Sequence, residues 1–255
     1  MIDFYYWGIQ CPYNFSNMKV LKAIEEKYNV KVNYIEMSDH QDLVKELKIY
    51  SPTFTILDNK LRWTGPITET LIEKYLNKET LQRTPYLVRS ENKRVEGELE
   101  LLVPKLSSDI KKLCCSIVCQ NSSTEKGLWL NRLMSDHDLK HLGVLHYVDN
   151  ECVGGVEYVP TLAVPYDIPK TSDSVFLTCV YASDSIHDYK SYPLEKLEIE
   201  LKSDGYKKIY AIASKGVAFP NGPLEWFINH GYTDLGSVYY EENDGADQHL
   251  IEKDL

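Results

Sequence analysis

Apolar and polar positions along residues 1 to 78 change period several times, and each change marks an element. Ile2 to Trp7 is an aromatic strand, and Met18, Leu21 and Ile24 are spaced to bury one helix face. Val30 to Met37 reads as a second strand and Asp39 to Leu47 as a second helix. The run "SPTFTIL" predicts a strand, "DNK" a tight turn into the strand "LRW", and Ile67 to Leu76 a closing helix. The order is β-α-β-α-β-β-α. Residues 79–94 are polar, contain Pro85 and lack periodicity, so they predict a linker between a first domain, 1–78, and a second, 95–255.

The second segment predicts a mixed sheet, which makes the chain α/β (α+β) in class. "VEGELELLVP" alternates, Ser107 to Leu113 suits a short helix, and "LCCSIVC" is apolar. "GVLHYVDNECVGGVEYVP" reads as a hairpin turning at Asp149-Asn150, and "SVFLTCVYAS" as the next strand. Pro193 to Asp204 carries a Leu194, Leu197, Leu201 stripe and stops at Gly205. After the buried strand "KKIYAIAS" come a helix, "PLEWFINHG", and two last strands, Tyr232 to Tyr240 and His249 to Leu255.

A chain of 255 residues with 43% hydrophobic residues is long enough for two modest cores. Its formal charge of −10 offers no broad field for a phosphate backbone, which argues against nucleic acid and suits basic or polyamine-like ligands better. The opening residues lack the pattern of a signal peptide, and no apolar run reaches membrane-spanning length, so a cytoplasmic protein without a membrane partner is expected. Six cysteines without a C-x-x-C pair or a zinc spacing are expected to be reduced.

Cys11 and Pro12 follow the first strand and open a helix, and Ser51-Pro52-Thr53 precedes the third strand. With the element order, these residues resemble the thioredoxin and glutaredoxin fold. The resemblance implies a cis Pro52 beside the thiol, and the helix terminus implies a Cys11 that ionises readily at the surface, while the other cysteines are buried. Asn14 stands where a resolving thiol would be. That leaves a monothiol exchange role for Cys11, or a thioredoxin-like module kept for packing and docking.

"LCCSI", "LWL", "GVEYVP", the Cys179 strand, "DGYKKIYAIAS" and "NHGY" occur in an order that resembles the GCN5-related N-acetyltransferase (GNAT) superfamily and, within it, the YoaP-like group. The resemblance implies a V-shaped splay between strands 175–183 and 207–214 that holds acetyl-CoA. Backbone groups of Cys179, Val180 and Tyr181 would line it, one amide serving as an oxyanion hole. The loop "HDYKSYP" would hold pyrophosphate, with His187, Lys190 and Ser191 as contacts. Ser191 and Pro193 replace the glycines of the family's loop, and Phe227 stands where many members carry a proton-donating tyrosine. Weak acetyl-CoA binding is therefore expected.

Glu157, flanked by apolar strand residues, is the candidate general base, or else an edge-facing surface carboxylate. Tyr158 and Tyr181 suit either an acceptor pocket or the core. Asp136, His137, His141 and His146 lack a convincing metal spacing even with His137 and His141 on one helix face, and Cys114, Cys115 and Cys119 suit small apolar core positions, so no metal is expected. The function these features imply is acetyl-CoA-dependent N-acetylation of a small-molecule or peptide amine, with the first domain as an accessory. The alternatives are a degenerate scaffold or sensor without turnover, and a monothiol redox protein acting through Cys11.

Overall fold

The computed structural model describes residues 1–81, 93–103, 123–184, 186–215, 221–243 and 245–255. The predicted Ser107 to Leu113 helix, and Cys114, Cys115 and Cys119, lie outside the described residues.

The N-terminal elements follow the order predicted for them. Strand β1 (Ile2–Tyr6) leads into helix α1 (Pro12–Tyr28), which begins on the fixed φ of Pro12 and ends where Asn29 takes a φ of 51°. Strand β2 (Val32–Glu36) is shorter than predicted at both ends, and helix α2 (Gln41–Glu46) follows. Then come β3 (Thr53–Leu57), β4 (Leu61–Thr64) and helix α3 (Glu69–Leu76), whose N-cap Thr68 accepts from the Leu71 amide. The sheet order is β2-β1-β3-β4, with β1 and β2 parallel and the other pairs antiparallel. Leu21 and Ile24 of α1 pack against Phe4, Leu57 and Ile72 on one side of this sheet.

The short strand β5 (Lys93–Arg94) pairs with β10 (His187–Asp188), apart from the main sheet. Strand β6 (Glu98–Leu101) opens the seven-stranded sheet, and helix α4 (Ser123–His137) precedes the hairpin of β7 (Gly143–Val148) and β8 (Glu151–Pro160). That hairpin turns on Asp149 and Asn150, both at positive φ (51° and 64°), as a two-residue turn matched to strand twist requires. Strand β9 (Ser174–Ala182), helix α5 (Ser191–Ser203) and strand β11 (Lys208–Lys215) form a crossover unit, because parallel strands need a long connection. Helix α6 (Leu224–Asn229) and the strands β12 (Thr233–Glu241) and β13 (Ala246–Asp254) complete the sheet in the order β12-β13-β11-β9-β8-β7-β6. Helix α5 starts two residues before the predicted Pro193, which is tolerated there because first-turn amides have no partner within the helix.

The two sheets share a core. Trp7, Tyr50 and Phe54 pack with Val159, Tyr166, Phe176 and Ile212 in one continuous apolar cluster. Arg62 locks its edge: the guanidinium lies between the rings of Phe54 (4.5 Å) and Tyr239 (4.3 Å) and makes a two-pronged ion pair with Glu241, at 2.7 and 2.8 Å. Gly8 allows a close approach, since a Cβ there would stand 2.2 Å from the Trp129 indole nitrogen.

Candidate functional site

Strands β9 and β11 pair in parallel only over Ser174 to Phe176 and Lys208 to Tyr210, and then separate. On the other side of β9 the register with β8 slips between Glu157 and Tyr158: Glu157 opposes Cys179 whereas Tyr158 opposes Leu177. Thr178 is thus the extra residue of a β-bulge, which bends the strand away from its neighbour. Parted parallel strands beside a bulge leave main-chain groups without a ladder partner, and two side chains take them up. Asn221 Nδ2 donates across the gap to the carbonyls of Leu177 and Ile212, both at 3.2 Å. From the loop between β1 and α1, Gln10 Nε2 donates 3.1 Å to the carbonyl of Thr178. A cavity of about 10 Å³ lies among them, bounded also by Trp7, Tyr166 and Phe176.

Of the residues named from the sequence for the strand wall, Val180 is buried in the α5-side core, while Cys179 and Tyr181 are half-buried. The Tyr181 hydroxyl lies 3.1 Å from Cys152 Sγ. Tyr158 is a core residue, its hydroxyl donating to the His141 carbonyl, and Phe227 is fully buried against Trp226 and Tyr232.

At the start of α5 the expected phosphate contacts are engaged within the chain. Asp188 Oδ1 accepts from the amides of Lys190 (3.1 Å) and Ser191 (3.0 Å), and its Oδ2 accepts from the Ser191 hydroxyl. The Ser191 hydroxyl also contacts His230 Nε2 at 2.7 Å. Lys190 is buried with its ammonium 4.3 Å from the Trp226 ring centre, and burial holds it below the usual lysine range against the opposing pull of Asp188. His187 pairs with Asp184 at 3.0 Å near the surface. A carboxylate on the helix-terminal amides is favourable for the helix, and it stands where an anionic ligand would have to stand. With Pro193 lacking an amide hydrogen as well, this helix start has few donors left to offer a pyrophosphate.

Three expectations need correction. Glu157 is not a surface carboxylate: it is 1% exposed, and both its oxygens bind Lys126 Nζ, at 2.7 and 3.0 Å. Lys126, on α4, supplies the countercharge that lets a glutamate sit in a dry strand. Cys11 is not at the surface either. It is 8% exposed beneath the second sheet, whereas Cys152 and Cys179 are half-buried, so the expected order of accessibility is reversed among these three. Finally, α4 ends at His137 and Asp138 turns the chain at a φ of 50°, so His141 does not share a helix face with His137.

Asn14 explains its own presence in the cysteine motif. Its Nδ2 donates to the carbonyls of Gly8 (3.0 Å) and Pro52 (2.9 Å), tying the loop before α1 to the proline turn. Gln10, Lys126, Tyr166, Asp188 and Asn221 were not among the sequence candidates. Only Asp188 carried a local signal, an Asp three residues ahead of a helix start.

No family model matches the chain, and no curated protein matches it. Solved structures similar to it include acetyltransferases. They include the aminoglycoside 6'-N-acetyltransferase from Enterococcus faecium, at 14% identity over 62% of this chain and 97% of that one, TM-score 0.44. The ribosomal-protein-alanine N-acetyltransferase from Brucella melitensis has 14% identity over 62% and 99%, TM-score 0.44. An acetyltransferase of GNAT family from Streptococcus pneumoniae has 15% identity over 62% and 99%, TM-score 0.46. No helix among the described residues is long and apolar enough to cross a membrane.

Proposed function

We propose that the second sheet performs acyl transfer to an amine, with the thioester end of the acyl donor in the gap between β9 and β11. The observation that carries this reading is the parting of two parallel strands beside the Thr178 bulge. Where parallel strands part, their main-chain groups can face an extended ligand and a thioester carbonyl, and in this chain the carbonyls of Leu177, Thr178 and Ile212 are bridged by Asn221 and Gln10. Acetyl-CoA is the donor class to test, and the closure of the α5 terminus by Asp188 makes its binding weak. The thioredoxin-like N-terminal unit is proposed as a docked cover on the gap rather than as a thiol-exchange enzyme, because Cys11 is covered and Asn14 serves as a structural tie. Glu157, held by Lys126, is proposed as a positioning residue opposite the bulge. Thermal unfolding of the full chain tests the reading. Millimolar acetyl-CoA should raise the midpoint, since any ligand of the native state stabilises it, and no shift at saturating concentration would refute the donor assignment.

A second reading, a scaffold or sensor without turnover, is favoured by the same Asp188 cap together with the Asn221 and Gln10 bridges that already fill the gap. It predicts that removing the cap creates no acyl-CoA binding.

A further inference from the structure

The seam between the two sheets is closed where an acyl donor would have to reach. Across the cavity beside the bulge, Trp7, Gln10 and Pro52 of the N-terminal unit face Phe176, Thr178 and Asn221 of the second. The Gln10 amide binds the carbonyl of the bulge residue itself, at 3.1 Å, and Gln10 is 3% exposed. The space left there, about 10 Å³, admits no more than one water molecule and no acyl group. With the N-terminal unit docked, the acyl end of a donor therefore has no place beside Thr178.

The docking carries forces of both signs. In its favour stand the Trp7 ring, edge-on to Trp129 and Tyr166 at 5.8 and 5.6 Å, and the clasp of Arg62 on Glu241 and the Tyr239 ring. Asn243 Nδ2 strengthens the clasp with a bond of 3.0 Å to the Arg62 carbonyl. Two more ties between the units, Lys45 to Asp167 and Lys170 to Gln41, are exposed and contribute little. Against docking stand three buried polar atoms at the cavity without a hydrogen-bond partner, Gln10 Oε1, Asn221 Oδ1 and the Tyr166 hydroxyl, all of which opening returns to water.

We infer that the N-terminal unit is an autoinhibitory cover held by the Arg62–Glu241 clasp, and that an acyl donor and the docked cover exclude each other at Thr178. The identity of the donor rests on the acyl-transfer reading. A donor that binds only the open form has its affinity scaled down by the open fraction, and by reciprocity it raises that fraction. Cys11, next to Gln10 and 8% exposed, reports opening through its rate of alkylation.

The test follows Cys11 alkylation by mass spectrometry in the full chain, with and without acetyl-CoA, in wild type and in Glu241→Gln, which weakens the clasp with a side chain of the same shape. Saturating acetyl-CoA should speed Cys11 labelling of wild type severalfold. Without donor, Glu241→Gln should speed it about tenfold and tighten acetyl-CoA binding by a similar factor, the equivalent of about 1.4 kcal/mol of lost docking. Hydrogen exchange of the β1 and β3 amides should stay as slow as in wild type, because lifting leaves the N-terminal sheet folded. Should the variant lose that protection, the effect of acetyl-CoA on wild-type Cys11 decides alone. Acetyl-CoA that binds wild type without speeding Cys11 labelling would overturn the inference and leave the acyl-transfer reading intact. Wild-type labelling in a folded Glu241→Gln would overturn the clasp. A variant that opens yet binds no acetyl-CoA would support the cover and sink the donor assignment.

Discussion

Replacing Asp188 separates the helix cap from the charge it places at the start of α5. Asp188→Asn keeps an oxygen that can accept from the Lys190 and Ser191 amides, now at 3.1 and 3.0 Å, but removes the negative charge. Two unit charges about 4 Å apart repel by roughly 1 kcal/mol in water and about 4 kcal/mol at an effective dielectric of 20. Asp188 is half-buried, so about 1.5 kcal/mol of relief is a fair expectation, which is roughly tenfold in affinity for CoA. Asp188→Gly goes further and frees both amides. It should also cost about 1 kcal/mol of stability, the usual worth of a lost cap, and lower the melting temperature by roughly 2 to 4 °C. Calorimetry with CoA, and with inorganic pyrophosphate as the phosphate-only probe, reads both effects. Tightening in both variants is expected, larger for glycine once stability is matched. Unchanged affinity in both would refute the argument that Asp188 occupies the anion position.

Lys126→Met should destabilise the protein by about 3 to 5 kcal/mol in urea unfolding, because it strands the buried Glu157 carboxylate, while Lys126→Met with Glu157→Leu should cost much less. Equal losses would mean that Glu157 is solvated in solution. Burial lowers the pKa of His249, but its contacts with Asp234 (2.9 Å) and Asp247 (3.0 Å) outweigh this and raise it above the ordinary 6.5. Its contribution is therefore complete below about pH 6.5 and fades as pH rises through the raised folded-state value. The melting-temperature gap between wild type and His249→Gln should be wider at pH 6 than at pH 8.5, and a gap that widens with pH would contradict the assignment. Brief alkylation followed by mass spectrometry should label Cys152 and Cys179 before Cys11, and faster labelling of Cys11 would show that the N-terminal unit undocks in solution.

Elements whose period was unmistakable were legible in the sequence: the first seven, the β7-β8 hairpin and the α5 stripe all lie within a few residues of their predicted places. The parting of β9 and β11 came from resemblance, not from pattern, since a buried strand reads the same whether or not its neighbour leaves it. Burial of Cys11 was not legible. Its surroundings are set by Tyr166 and other residues far away in sequence, and a local motif carries no information about what docks on it. Of the two readings of Glu157, general base or edge-facing surface carboxylate, burial removes only the second, and the sequence could not decide it because Lys126, the partner that allows the burial, lies 31 positions away. Gln10 and Asn221 are invisible in one dimension because their roles are hydrogen bonds to carbonyls that strand separation exposes.

The most direct measurement of the central claim is to incubate the full chain with acetyl-CoA and a mixture of small primary amines, and to look for acetylated amine by mass spectrometry. Asp188→Gly serves as the variant with improved donor binding. The account predicts slow, protein-dependent acetylation by wild type and faster acetylation by Asp188→Gly at limiting donor. Acetyl-CoA left intact by both proteins, with no acetylated amine in either, would contradict it.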